Sequence, residues 1–342
     1  MTLIFDGHND ALSRLWCSGN DPCVDFQSAI GHVNVPDCAA GRMGGGFFAL
    51  FSPTKRAPFD LSVFQAGDLD FPLPPAIDQG AALQSVVAQA GLAHRLQDAG
   101  HLTICTDAQT LARRFVDANL ACILHLEGAD CIDADLLALD ALHALGLRSL
   151  GLVWSRPTIF AEGVPFQHGR DGDTGPGLTA LGRDLVKRCK DLGIIVDTSH
   201  LNMRGFWDVA EAGLPLVATH SNATELCNAT RNLTDDQLRA IGETGGMVGL
   251  NFGTIFLSDQ GWKTGKATIS DCLAQLDHMI ALAGEDHVGL GSDFDGAPMP
   301  DEINSAADLP KLCAAMSDHG YSDALIAKIA HENWLGFVSG QL

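Results

Sequence analysis

The chain has 342 residues, 46% of them hydrophobic and 18% charged, which excludes a disordered polymer and supplies enough apolar side chains for a sizeable core. Its 42 acidic and 21 basic residues give a formal charge of -21, so the mean surface field repels phosphate backbones and anionic lipid, and no nucleic-acid partner is expected. The 10 cysteines are scattered without a CxxC pair, several of them inside apolar runs such as Leu120-Ala121-Cys122-Ile123-Leu124, as expected of reduced thiols in a cytoplasmic protein.

The opening Met1-Thr2-Leu3-Ile4-Phe5 carries neither a basic region nor a leader-length apolar run, so no signal peptide is expected. No run of about eighteen apolar residues occurs, so no membrane span is expected either. Short apolar or β-branched runs then alternate with helical patterns along the whole chain. Eight principal strands are predicted at 2–8, 46–51, 120–126, 148–154, 193–199, 215–220, 246–252 and 286–292. Apolar spacings of three and four predict helices within 134–145, 178–192, 234–241 and 269–283. A further strand-like run at 102–105, followed by a helical pattern at 107–116, reads as an insertion in the second βα unit. Repeated βα units across the chain predict the α/β class and a (β/α)8 TIM barrel, with residues 1–342 forming one domain. Two stretches break the alternation: 54–75, rich in Pro, Phe and Asp, and 156–177, rich in Gly and Pro. Each follows a strand, the side on which such barrels build their active sites, so both are candidate substrate-covering loops.

The ends of the predicted strands carry the chemistry. Residues two apart on an extended strand share a face, so His8 and Asp10 in Asp6-Gly7-His8-Asn9-Asp10 have ligand spacing. Glu127 ends the apolar run Ile123-Leu124-His125-Leu126-Glu127, where an unpaired carboxylate is costly to bury and a metal is one way to compensate it. His125, on the same face, is expected deeper in the barrel as a hydrogen-bonded core histidine. His200 and His220 end two further strands, and Asp293 and Asp295 follow the last. Five strands ending in His, Asp or Glu at one rim predict a metal centre at the C-terminal ends of the strands. Imidazole and carboxylate suit zinc, and two ions about 3.5–4 Å apart are readily bridged by one carboxylate, for which Glu127 is the natural candidate. A hydroxide shared by two such ions is a nucleophile near neutral pH, and Asp293, nearer the strand end than Asp295, is placed to take its proton.

In order and spacing these pieces resemble the membrane (renal) dipeptidase family, peptidase family M19 of the amidohydrolase superfamily, in a bacterial-type subgroup. The resemblance runs nearly end to end, through Asp6–Asp10, Leu126-Glu127-Gly128, the strand ending at His200, His220-Ser221-Asn222-Ala223, Arg231-Asn232 and Gly291–Gly296. It implies a binuclear zinc site with His8, Asp10 and Glu127 on one ion and Glu127, His200 and His220 on the other, and Asp293 as general acid/base. It also implies that Arg231 grips the terminal carboxylate of the substrate, as the bidentate fit of guanidinium to carboxylate supports. Family members are often dimers, so a homodimer is possible and the oligomeric state stays open.

One position departs from the better-known members. Where they carry a histidine at the end of the fourth strand, this chain has Trp154, in Trp154-Ser155-Arg156. An indole donates one hydrogen bond and carries no positive charge, so the developing oxyanion must be met by metal, by Arg156 or by a loop residue such as His168. Trp154 and Arg156 therefore enter the expected substrate-binding set. The resulting expectation is a zinc dipeptidase acting on small dipeptides, L-Xaa-D-Xaa included by family resemblance. The alternatives are an amidohydrolase for a lactam, lactone or N-acyl amino acid, and a non-catalytic metal-stabilised protein.

Overall fold

Alternating side chains at the strand positions build a closed parallel sheet. The computed structural model describes residues 2–56, 71–117 and 119–342. Its strands are β1 (Ile4–Asn9), β2 (Met43–Phe51), β3 (Leu102–Ile104), β4 (Leu120–Glu127), β5 (Leu147–Gly151), β6 (Ile195–Asp197), β7 (Val217–Ala218), β8 (Met247–Leu250) and β9 (Val288–Leu290). They neighbour one another in the order β2-β1-β9-β8-β7-β6-β5-β4, and parallel pairing of β2 with β4 closes the circle into a (β/α)8 barrel. The short β3 stands outside that circle. It pairs with Leu120–Cys122 on the edge of β4 that β5 occupies from Leu124 onward, so the inserted βα unit extends the sheet without entering the barrel.

The predicted helices lie between the strands as Ala108–Val116, Leu137–Ala144, Ala180–Leu192, Asp235–Glu243 and Ile269–Ala283. A longer one, Gln79–Asp98, has no counterpart in the predicted elements. Its buried positions include Ala82, Ser85, Gln89, Ala90 and Ala93, small or polar residues whose spacing is inconspicuous in sequence. The strands of the second half are shorter than predicted. β7 reduces to Val217–Ala218, because the chain leaves the ladder at Thr219 and His220 to enter the site. Of the two predicted loops, 156–177 follows β5, whereas 57–70 of the other lie outside the described residues.

The barrel interior is layered. Phe5, Phe47, Ile123, Ile195, Val217 and Met247 fill one end together with Trp334 of the C-terminal helix, whose indole nitrogen donates to the Leu290 carbonyl at 2.8 Å. Above this apolar plug lies a buried polar layer of His125, Ser149, Asp197 and Thr219. Strand β4 shows why: Ala121, Ile123, His125 and Glu127 point inward in succession, while Cys122, Leu124 and Leu126 join the helix-facing core. On β1 the phase changes. Phe5 faces the lumen and so does His8, an odd number of residues later, and the register against β2 slips between Asp6 and Asn9 to allow it.

Candidate metal centre

The ends of β1 and β9 are stitched together before any ligand is placed. Asp10 N donates to the Phe294 carbonyl at 2.8 Å, and Asp293 N donates to the His8 carbonyl at 3.1 Å. Beneath them the buried Asp6 carboxylate accepts Ser292 N at 2.7 Å and Ser292 Oγ at 2.8 Å, and burial pushes its pKa up to about 7. This clamp sets Asp10 beside Asp293, 283 positions apart in sequence.

Three imidazoles and one carboxylate converge above the polar layer. Glu127 Oε1 lies 3.2 Å from His200 Nε2, 3.7 Å from His220 Nε2 and 3.8 Å from His8 Nε2. His8 Nε2 is in turn 3.5 Å from Asp10 Oδ2, and His8, Asp10 and Asp293 form a second group with ligand atoms within 4.8 Å of one another. All five predicted ligands are thus brought together, and Glu127 is the member within reach of all three histidines. Burial holds the His200 and His220 pKa values well below normal and lowers His8 to about 4, so the imidazoles are neutral. Burial also raises Glu127 well above the carboxylate range, with Asp10 adding to the effect, and lifts Asp10 to about 7.

The residues fit a divalent metal. Both ring nitrogens of His8 are buried without a hydrogen-bond partner, an expensive arrangement unless a cation completes it. Neutral imidazoles and carboxylates are the donor set of zinc and similar ions. Two groups meet Nδ1 of His200: Ser155 Oγ at 2.9 Å and Arg231 Nε at 3.1 Å. A guanidinium can only donate, whereas a hydroxyl can accept, so ligation through Nε2 selects Ser155 as the partner. Four of the six non-glycine residues with positive φ among the described residues sit here: Ser155 at 49°, His200 at 65°, Asp293 at 59° and Asp295 at 67°. Such strain persists only where surrounding structure over-determines it, and here it aims side chains inward from strand ends.

The remaining predicted residues separate. Asp293 Oδ2 accepts Asn251 Nδ2 at 2.9 Å, and burial raises its pKa. Its rival Asp295 is paired with Arg14 Nε at 3.0 Å and accepts His32 N at 2.7 Å, which leaves it committed to structure. Arg231 is buried behind the histidines, donating to Ser221 Oγ at 2.6 Å and to the His220 carbonyl at 2.8 Å. Burial lowers its pKa to about 10, so it stays charged at neutral pH. Trp154 lines the cavity over the centre, its ring 6.1 Å from His200 and 5.1 Å from Phe51. The Arg156 guanidinium lies over both Trp154, at 4.9 Å, and Phe51, at 5.2 Å, and pairs with Asp130 at 3.7 Å. His168 is not among the cavity-lining residues and pairs with Asp259 at 2.6 Å, so it does not replace the absent histidine. His125 is a buried histidine bonded to Ser149 Oγ at 2.9 Å, below the site as expected.

Sequence reasoning missed Asn251, Ser155, Thr219 and Gly296. Asn251 carried a usable signal, a polar side chain at the end of an apolar strand, like Glu127. Thr219 and Ser155 are single hydroxyl residues beside larger candidates and offered none. The cavity above the centre measures about 520 Å³, and its lining includes the aromatic rings of Phe51, Trp154, Phe166 and Phe256 and the basic side chains of Arg14 and Lys55.

A closed (β/α)8 barrel with imidazoles and carboxylates converging at the C-terminal ends of its strands is the architecture of a metal-dependent hydrolase. Within that class, the model of the membrane dipeptidase family (peptidase family M19) matches residues 1–339, and the chain belongs to this family of metallo-dipeptidases. It is 44% identical to a metallopeptidase from Rhodobacter sphaeroides liganded with a phosphinate mimic of the dipeptide L-Ala-D-Ala, with a TM-score of 0.96 and full coverage of both chains. A second solved structure, the dipeptidase AC of the same peptidase family, is 45% identical with a TM-score of 0.94, covering 98% of each chain. A Klebsiella pneumoniae sequence, the uncharacterized protein in the pqqA 5' region, is 44% identical over 238 residues, 69% of this chain and 88% of the relative. No helix among the described residues is long and apolar enough to cross a membrane.

Proposed function

We propose that residues 1–342 act as one zinc-dependent dipeptidase domain that hydrolyses small dipeptides, including L-Xaa-D-Xaa. The observation that carries this reading is the convergence of His8, His200 and His220 on one carboxylate, Glu127, in a chain 44% identical to an enzyme that binds an L-Ala-D-Ala mimic. Two zinc ions would be held, one by His8, Asp10 and Glu127 and one by Glu127, His200 and His220. When bound, such ions lower the pKa of water into the neutral range and polarise the scissile carbonyl.

The chain's own residues supply the rest. Asp293, held by Asn251 through one oxygen, keeps the other for proton transfer to the leaving amine. Arg231 carries two N–H groups on each terminal nitrogen, and one on each is engaged, by Ser221 and by the His220 carbonyl. The two that remain, one on each terminal nitrogen, would give the substrate's free carboxylate a two-bond partner. Trp154, edge-on to Phe51 and backed by Arg156, closes an aromatic wall over the substrate and keeps bulk water from the reacting bond. Arg156, which lines the same cavity, carries the positive charge that an indole lacks. The seven buried cysteines, Cys38, Cys105, Cys122, Cys131, Cys189, Cys227 and Cys272, are thiols outside any disulfide, consistent with a reducing cytoplasm.

Zinc-loaded protein is expected to cleave members of an L-Xaa-L-Xaa and L-Xaa-D-Xaa library, and failure on every member would overturn the assignment. Arg231→Met is expected to raise KM for dipeptides roughly 100-fold with a smaller change in kcat. A dipeptide amide, lacking the carboxylate, should be nearly indifferent to the change; equal losses on both substrates would favour the lactam, lactone or N-acyl amino acid reading. Dialysis against a chelator should abolish hydrolysis and lower Tm by roughly 5–10 °C, both restored by added zinc.

A further inference from the structure

We infer that the Thr219 hydroxyl, anchored on Asp197, is a positioning group that fixes the tautomer of His220 and so presents Nε2 to the metal. The inference rests on the metal-site reading above and adds two residues to it.

Counting hydrogens along one chain of contacts leads there. Asp197 Oδ1 accepts Ser199 N at 3.0 Å and Thr219 N at 2.9 Å, and its Oδ2 meets Thr219 Oγ1 at 2.6 Å. A carboxylate that receives three bonds accepts only, so the single hydroxyl hydrogen of Thr219 is directed to Asp197. Thr219 Oγ1 also lies 2.8 Å from His220 Nδ1. With its hydrogen engaged, the oxygen offers only lone pairs to the ring, so Nδ1 must carry the imidazole's one hydrogen. Nε2 is then bare, and it is the atom 3.7 Å from Glu127 Oε1 and 3.1 Å from His200 Nε2. The ionisable side chain in contact with Asp197 Oδ2 is His125, whose Nε2 lies 3.5 Å away and whose Nδ1 is bonded to Ser149; His8, Arg231 and Glu127 act on Asp197 through charge alone. His125 does not enter the Thr219 contact.

The strands are built to hold Thr219 still. A Cβ on Gly249 or Gly291 would fall 2.0 Å from the Thr219 carbonyl oxygen, and one on Gly7 would fall 2.7 Å from it. Three strands therefore approach this one peptide where only glycine permits it. Thr219 is fully buried, with its amide and its hydroxyl on the same carboxylate. Outer groups of this kind orient a ligating ring and are worth 10- to 100-fold in metal affinity in comparable sites.

The test uses the full chain, stripped of metal and titrated with zinc against a chromophoric chelator, and with cobalt for its d–d spectrum. Thr219→Val should weaken binding at the weaker of the two zinc steps by about 10- to 100-fold and change the cobalt band, while the melting temperature of stripped protein stays close to wild type. Thr219→Ser, which restores the hydroxyl, should return affinity to within about threefold. Asp197→Asn tests direction. If the amide NH₂ faces Thr219, the hydroxyl turns toward Nδ1, the ring hydrogen moves to Nε2, and affinity falls although Thr219 is intact. Should Thr219→Val not fold, Thr219→Ala removes the same hydroxyl with less crowding and is read in the same way. Wild-type affinity in the folded hydroxyl-free variant would overturn the relay and leave the metal site standing. Failure of wild-type protein to take up zinc would overturn both.

Discussion

Asp293→Asn is expected to lower kcat by about 10³-fold or more, a loss of roughly 4 kcal/mol in transition-state stabilisation, while the protein keeps its full complement of metal. The substitution preserves shape and leaves an oxygen for Asn251 Nδ2, which now bonds Asp293 Oδ2 at 2.9 Å. What disappears is the ability to accept and return a proton. Burial already raises the Asp293 pKa, the direction wanted in a group that must give a proton back to a leaving amine near neutral pH. Asp295 cannot take over, because its carboxylate is engaged by Arg14 and by the His32 amide. Metal analysis beside steady-state kinetics decides the matter. A variant that retains more than a tenth of wild-type kcat would remove Asp293 from proton transfer, and one that has lost its metal would make it a ligand instead.

Gly296→Ala is the second large effect, and its cause is steric. A Cβ at this position would lie 2.2 Å from Asp10 Oδ2 and 2.4 Å from Asp293 Oδ1. Both obstructing atoms are the free ends of side chains, so the barrel can accommodate the methyl group by pushing the two carboxylates aside. The fold should survive with a Tm within a few degrees of wild type, since no core packing is altered. Function should not. Displacing a ligand and a proton-transfer group by about 1 Å or more is expected to cost at least 100-fold in kcat/KM. The zinc step that uses Asp10 should weaken with it. A variant of unchanged activity would show that the two carboxylates work in another arrangement.

The candidate metal ligands were legible because their signal is local. A buried strand of a parallel barrel is apolar along its length, so a His, Asp or Glu at its end stands out against the pattern, as Glu127 does after Ile123-Leu124-His125-Leu126. The same reasoning separated His125 from Glu127 correctly, because alternation places both inside and depth follows chain order. It worked less well for β1, where His8 reaches the lumen only through a register slip that no alternation rule anticipates. The long helix Gln79–Asp98 escaped for the converse reason, since a buried face that dilutes Val86, Leu92 and Leu96 with alanine, serine and glutamine has little contrast.

The residues around the ligands were not legible, because their roles exist only between elements. Asp295 competed with Asp293 in sequence, and the partner that removes it from contention, Arg14, comes from the helix after β1. The glycines around Thr219 read as ordinary strand residues until three strands are seen to meet at one carbonyl. By itself the sequence determined the barrel class and the family and picked out the five candidate ligands that the fold brings together, since each is written in periodicity, strand-end chemistry or motif order along a single stretch of chain. Only the tertiary structure decided which carboxylate is free, which hydroxyl orients which imidazole and why residue 296 must be glycine, because these are distances of a few ångströms between positions far apart in the chain.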